Sequence, residues 1–193
     1  MPGPRRDNTV DAAFEGLDIE GKSVWVVGSH YGAVPNILAD RGARRVVGWD
    51  ARPAYCQIAQ TVAEIRGTDS VIAYACTNVE HAMPVGQFDV VTLFNVTHHL
   101  YYPAHTLVQV ASRAREALLI EWATLETYNA RHGSQQVDPE FMAMWPIFLA
   151  DRYGCWYCSQ SALDAVLGRC DFRSVQHKPS PLGTHRRITV CQR

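Results

Sequence analysis

Apolar residues along this chain follow two alternating rhythms. Short β-branched and aromatic runs bounded by glycine read as strands buried on both faces, and stretches with an apolar residue every three or four positions read as helices. The first run is Ser23–Val27, SVWVV, between Gly21 and Gly28. Behind it Val34, Ile37, Leu38 and Arg41 recur at helical spacing, with Pro35 tolerated in the first turn and Gly42 as the stop. A second strand is predicted over Arg45–Asp50, then a helix opened by Pro53 that carries Tyr55, Ile58, Ala59, Val62 and Ile65 on one face and ends at Gly67. Val71–Ala75 is a third strand, Phe88–Phe94 a fourth, Pro103–Ala114 a helix and Leu118–Trp122 a fifth strand. Strands alternating with helices in this way predict a doubly wound α/β fold, because each crossover helix must bury its apolar face on a parallel sheet.

The last third leaves that rhythm. Residues 124–158 carry Tyr128, Phe141, Trp145, Phe148, Tyr153, Trp156 and Tyr157 with Pro139 and Pro146, and helical turns forming a cap are expected there rather than sheet. Ser161–Gly168 reads as a helix with Asp164 as the capping-box partner of Ser161, and Arg173–His177 and Arg187–Gln192 as two closing strands. No repeat or linker interrupts the chain, so 1–193 is read as a single domain with 124–158 as an insertion.

Composition narrows the class. With 18 basic and 19 acidic side chains among 193 residues, the net charge of −1 argues against a nucleic-acid partner and for a small or neutral one. Six cysteines without framework spacing read as reduced thiols. The start of the chain reads as a short leader without the apolar core of a signal peptide, and no apolar run is long enough for a membrane helix. A soluble, cytoplasmic protein is expected.

Open parallel sheets bind ligands at the carboxyl ends of their strands. The first strand-to-helix turn here is Gly28-Ser29-His30-Tyr31-Gly32, and the second strand ends in Asp50, a carboxylate suited to both hydroxyls of a ribose. His30 stands where a dinucleotide site wants its second glycine, so a nucleoside without a pyrophosphate fits better. The plainer alternative is that Gly28 and Gly32 only allow close packing and that Asp50 is a solvated strand end.

The run from Gly16 to Asp50, then FDVVTLFNVTHHLYYP, ALLIEWA and SQSALDAVLGRCDFRSV, resembles the class I S-adenosylmethionine-dependent methyltransferases. Within them it is similar to the tRNA wobble-uridine carboxymethyltransferase-like branch and to nearby small-molecule methyltransferases. The resemblance implies a Rossmann-like, mostly parallel sheet of about seven strands, the last antiparallel, with the aromatic insertion after strand five. It implies S-adenosylmethionine as cofactor, its methionine end wrapped by Gly28, Ser29, His30 and Gly32 and its ribose on Asp50. Ala51 and Arg52 would lie beside the adenine, Thr77 or Asn78 would bond the adenine amino group, and Asn95 and Val96 would give backbone contacts beneath the sulfonium. The chain departs from the family at Val26, where an acidic residue is usual, and at His30.

Methyl transfer depends chiefly on holding an acceptor lone pair in line with the S–CH3 bond, and a base helps only when the acceptor is a hydroxyl or a protonated amine. His99 is the first candidate base and His98 the second; the plain alternative is that either caps a strand end. Tyr31, Trp122, Trp145 and Trp156 are the candidate acceptor-pocket aromatics, against which stand a core role and a homodimer surface. Cys155 and Cys158 form a C-x-x-C without the second close pair a zinc site wants, and no metal is expected. Two rivals remain. One is a cofactor-binding homologue that has lost transfer; the other is an RNA-modifying enzyme, which would need Arg44, Arg45, Arg173, Lys178, Arg186 and Arg187 on one face.

Overall fold

The computed structural model describes residues 6–125, 128 and 145–193. In chain order they form α1 (Arg6–Phe14), β1 (Ser23–Val27), α2 (Ala33–Asp40), β2 (Arg45–Asp50), α3 (Pro53–Arg66), β3 (Ile72–Cys76) and β4 (Phe88–Phe94). A 3-10 turn (Thr97–His99), α4 (Pro103–Ala111), β5 (Ala114–Ala123), β6 (Phe148–Ala150), β7 (Trp156–Cys158), α5 (Gln160–Leu167), β8 (Ser174–Ser180) and β9 (Gly183–Gln192) follow. Seven strands make one sheet in the order β3-β2-β1-β4-β5-β9-β8. The first five run parallel and β9 runs antiparallel to both of its neighbours. This is the predicted Rossmann-like architecture.

Every residue of β1 is buried, and so is all of β4 except Phe94, because each strand has a neighbour on both edges and helices on both faces. Alternation divides the core in two. Trp25, Val27, Leu93, Leu118, Ile120 and Trp122 face α4 and α5, where Leu107, Val110, Leu163 and Leu167 meet them. Val24, Val26, Val90 and Leu119 face α1 and α2, where Val10, Phe14, Val34 and Leu38 meet them.

Four local expectations are corrected. The leader contains α1, whose buried Val10, Ala13 and Phe14 recur at three- and four-residue intervals, a helical spacing that the reading as a plain leader passes over. Strand five begins at Ala114, and the helix before it stops at Ala111. Within 124–158 the described part contains sheet, since β6 and β7 pair antiparallel; most of that segment, Phe141 and Pro139 included, lies outside the described residues. The helix at 160–167 is capped by Ser159, whose Oγ accepts from Ala162 N at 3.1 Å. Ser161 instead donates to Trp145 O at 2.8 Å, and Asp164 bonds His177 Nε2 at 2.8 Å.

Candidate functional site

Strand order reverses between β1 and β4, and the loops above their carboxyl ends part into a cleft of about 510 Å³. Its floor begins at Gly28. Gly28 N and Ser29 N both donate to Trp49 O, at 2.8 and 2.9 Å, so the β1 turn is pinned to the end of β2. Gly28 has φ +72°, and a Cβ there would lie 2.2 Å from Val96 Cγ2. Only glycine lets the turns after β1 and β4 come this close.

Asp50 joins two loops. Its Oδ2 accepts from His30 N at 2.9 Å and its Oδ1 from Arg52 N at 3.0 Å. His30 holds a φ of 51°, the left-handed conformation that the missing glycine would adopt without strain. Beside them Arg52 Nη1 donates to Tyr55 Oη at 2.7 Å, and the rings of His30, Tyr31 and Tyr55 gather at 4.0–4.7 Å between centroids. Beneath this rim lies Cys56, whose thiol burial, first of all, and the nearby Cys76 push up to about 11. It is an un-ionised packing group at neutral pH.

The cleft brings together most of the residues proposed for the cofactor: Gly28, His30, Asp50, Ala51, Arg52, Thr77, Asn78, Asn95 and Val96 all line it. Two do not. Gly32 faces the opposite way, where a Cβ would lie 2.4 Å from Tyr74 Oη, so its role is to admit Tyr74 rather than a ligand. Ser29 is buried, its Cβ packed beneath Gly48. His98 and His99 both line the cleft on the 3-10 turn after β4, with ring centroids 4.0 Å apart; His98 is buried and His99 exposed.

The aromatic candidates need correction. Trp122 is 1% exposed, and its Nε1 donates to Thr189 Oγ1 at 2.9 Å, inside the core. Trp145, 56% exposed, and Tyr31, 43% exposed, are outside the cleft lining, and Trp156 lines a separate small apolar crevice with Phe148 and Leu163.

Sequence reading missed the far wall. Leu100, Tyr101, Leu182 and Arg186 line it, and Arg186 Nη1 donates to Asn95 Oδ1. Asn95 Nδ2 donates to Glu121 Oε2 at 2.6 Å, and Ser180 Oγ donates to Glu121 Oε1. Glu121 is fully buried. A lone carboxylate inside the apolar run LLIEWA was the available signal; nothing in the sequence places Arg186 beside it.

The basic residues that an RNA partner would need are divided. Arg45 opens β2 and Arg44 pairs with Asp89, at the end of the sheet away from the cleft, whereas Arg186 lies in the cleft and Lys178 pairs with Glu15 at 3.0 Å. Among the described residues no group of three or more His, Cys, Asp and Glu side chains could hold a metal ion, and no helix is long and apolar enough to cross a membrane.

Comparison with known proteins agrees with this geometry. Residues 25–116 match the family described as methyltransferase domain. No curated protein matches the chain in sequence. Solved structures match its fold at low identity. The magnesium protoporphyrin IX methyltransferase of Synechocystis PCC 6803, with S-adenosylhomocysteine bound, is 17% identical over 97% of this chain and 81% of its own, with a TM-score of 0.72. A putative S-adenosylmethionine-dependent methyltransferase from Listeria monocytogenes is 12% identical over 97% of each chain, with a TM-score of 0.73. One from Mesorhizobium loti is 14% identical over 97% and 99%, with a TM-score of 0.69. Just under half of the chain thus matches the methyltransferase domain family, and nearly its whole length shares the fold of these structures.

Proposed function

We propose that this class I methyltransferase domain binds S-adenosylmethionine across the ends of β1, β2 and β3 and methylates a small molecule seated toward β4, β5 and β9. The observation that carries this reading is Asp50: it ends β2, the strand beside the β1–β4 switch point, and its two backbone hydrogen bonds fix both oxygens while each keeps a lone pair for a ribose hydroxyl. The cleft volume of about 510 Å³ suits a small-molecule site. When bound, the cofactor supplies an electrophilic methyl on a sulfonium. The protein's own part is to orient the acceptor and to exclude water. Gly28 and His30 line the turn at the methionine end, Ala51, Arg52, Thr77 and Asn78 surround the base, and Asn95 and Val96 lie at the junction of the two halves. His99 is placed to take the proton of a hydroxyl or ammonium acceptor, with His98 packed against it. The described residues act as one domain.

A binding protein without turnover is the second reading, favoured by the left-handed His30 in place of glycine. Isothermal titration with S-adenosylhomocysteine tests the first step: saturable binding is expected, at least tenfold weaker in Asp50→Ala, about 1.4 kcal/mol. Absence of binding at near-millimolar ligand overturns the cofactor assignment. Binding without S-adenosylhomocysteine release from S-adenosylmethionine, across a panel of small acceptors, supports the second reading.

A further inference from the structure

The two walls of the cleft carry different groups. Among the described lining residues the carboxylates are Asp50 and Glu80, both tied to main chain near the β2 and β3 ends, with Arg52 beside Asp50 and turned to Tyr55; Glu80 Oε1 accepts from Tyr102 N at 2.8 Å. The opposite wall carries Arg186, His98 and His99 among the apolar faces of Val96, Leu100 and Leu182.

Arg186 is held there by a directed chain of hydrogen bonds. Arg186 can only donate, so Asn95 must turn its carbonyl oxygen to it and its amide nitrogen to the fully buried Glu121. Ser180 donates to the other oxygen of Glu121 and itself accepts from Leu182 N at 3.1 Å, which fastens the β8–β9 turn to the same carboxylate. Asn95 keeps a φ of 61° to hold this position, and its N donates to Glu121 O at 3.1 Å. A left-handed residue and a buried carboxylate are costly, and what they achieve together is a fixed orientation of one guanidinium at the cleft wall.

We propose that Arg186 is the specificity residue of the acceptor site and that the acceptor carries a carboxylate on an apolar body. A guanidinium presents paired N–H donors in a plane that matches a carboxylate, and the apolar side chains around it fit a ring or aliphatic body. Asn95, Glu121 and Ser180 are positioning residues. The assignment rests on the methyltransferase reading of the cleft.

The test uses benzoate and benzamide as probes, equal in size and differing in charge, titrated by ligand-observed NMR into the full chain saturated with S-adenosylhomocysteine. Benzoate is expected to bind at least fivefold more tightly than benzamide. Arg186→Gln is expected to remove that preference, and Arg186→Lys to restore part of it, with S-adenosylhomocysteine affinity within threefold of wild type in both. Equal affinities in the wild type, no benzoate binding, or a preference that survives in a folded Arg186→Gln overturns the proposal. Failure of S-adenosylhomocysteine itself to bind overturns the cofactor reading instead, so the two fail by different signals.

Discussion

The two ends of the parallel sheet hold a carboxylate each, and they use it differently. At the amino end Asp89 of β4 accepts from Ser23 N and Ser23 Oγ, both at 2.8 Å, and pairs with Arg44 at 3.3 Å and Arg115 at 3.5 Å. At the carboxyl end Asp50 ties the β1 and β2 turns together beside an open cleft. Among the described residues the non-glycine positions with left-handed backbone, His30 and Asn95, both stand at the carboxyl end. At the amino end these bonds and ion pairs join the strand starts; the carboxyl end keeps strained residues around a cavity, as binding sites do. Fold and site are thus separable in the same strands, and substitutions at the two ends should move different measurements.

The sharpest way to break that contrast is Gly28→Ala. Alanine at φ +72° is strained by about 1–2 kcal/mol, and its Cβ would meet Val96 Cγ2 at 2.2 Å, so the β1 and β4 turns must separate. S-adenosylhomocysteine affinity is expected to fall about a hundredfold, about 2.7 kcal/mol, by calorimetric titration. Shortening Val96 to alanine in the same protein removes the contact but not the strain, and should recover about tenfold of the hundredfold loss. An affinity within threefold of wild type in Gly28→Ala would show that the carboxyl end tolerates separation.

Asp89→Asn probes the other end. Burial by itself would raise this carboxyl, but the hydrogen bonds from Ser23 and Arg44 outweigh it and hold the group at about 2, below its ordinary value of 3.8. A depressed value means that the ionised form stabilises the fold: the contribution is complete above about pH 4 and is lost as pH falls toward 2. It amounts to about 2 kcal/mol. Urea unfolding at pH 7 should show a loss of that order in Asp89→Asn, with a flatter pH dependence between pH 4 and 2 than wild type. Cofactor-product affinity of the folded variant should stay within twofold. A shift in affinity as large as the shift in stability would erase the distinction between the ends.

What was legible in the sequence follows the same division. β1, β2 and β4 are mostly apolar runs closed by glycine or a turn, and their limits are legible to the residue because burial on both faces keeps exposed polar side chains to the strand ends. Asp50 was legible because a local rule, an acid at the end of the second strand, places it. Arg186 was not, because its partner Asn95 is brought to it only by the antiparallel pairing of β9 with β5. β6 and β7 are three residues each, too short to show a period, and α1 shows its helical spacing over only three buried apolar positions, Val10, Ala13 and Phe14. Ser161 with Asp164 matched a capping box in spacing, yet Ser159 took the cap because β7 ends immediately before it.

Trp122→Phe carries the smallest expected effect and tests the contrast where it is least obvious. Trp122 stands near the carboxyl end, one residue after Glu121, so proximity alone would assign it to the cleft. Side-chain alternation decides otherwise: it faces the same side as Leu118 and Ile120, toward α4 and α5, while its neighbour Glu121 reaches Asn95. Phenylalanine removes the donor to Thr189 Oγ1, which keeps its bond to His177 Nδ1 at 2.9 Å, so no polar group is stranded. A stability loss of about 1 kcal/mol is expected from urea unfolding, with benzoate and S-adenosylhomocysteine affinities unchanged. If benzoate affinity falls while stability holds, Trp122 belongs to the acceptor wall; if only stability falls, strand parity, and not nearness to the opening, decides which side chains at this end of the sheet can meet a ligand.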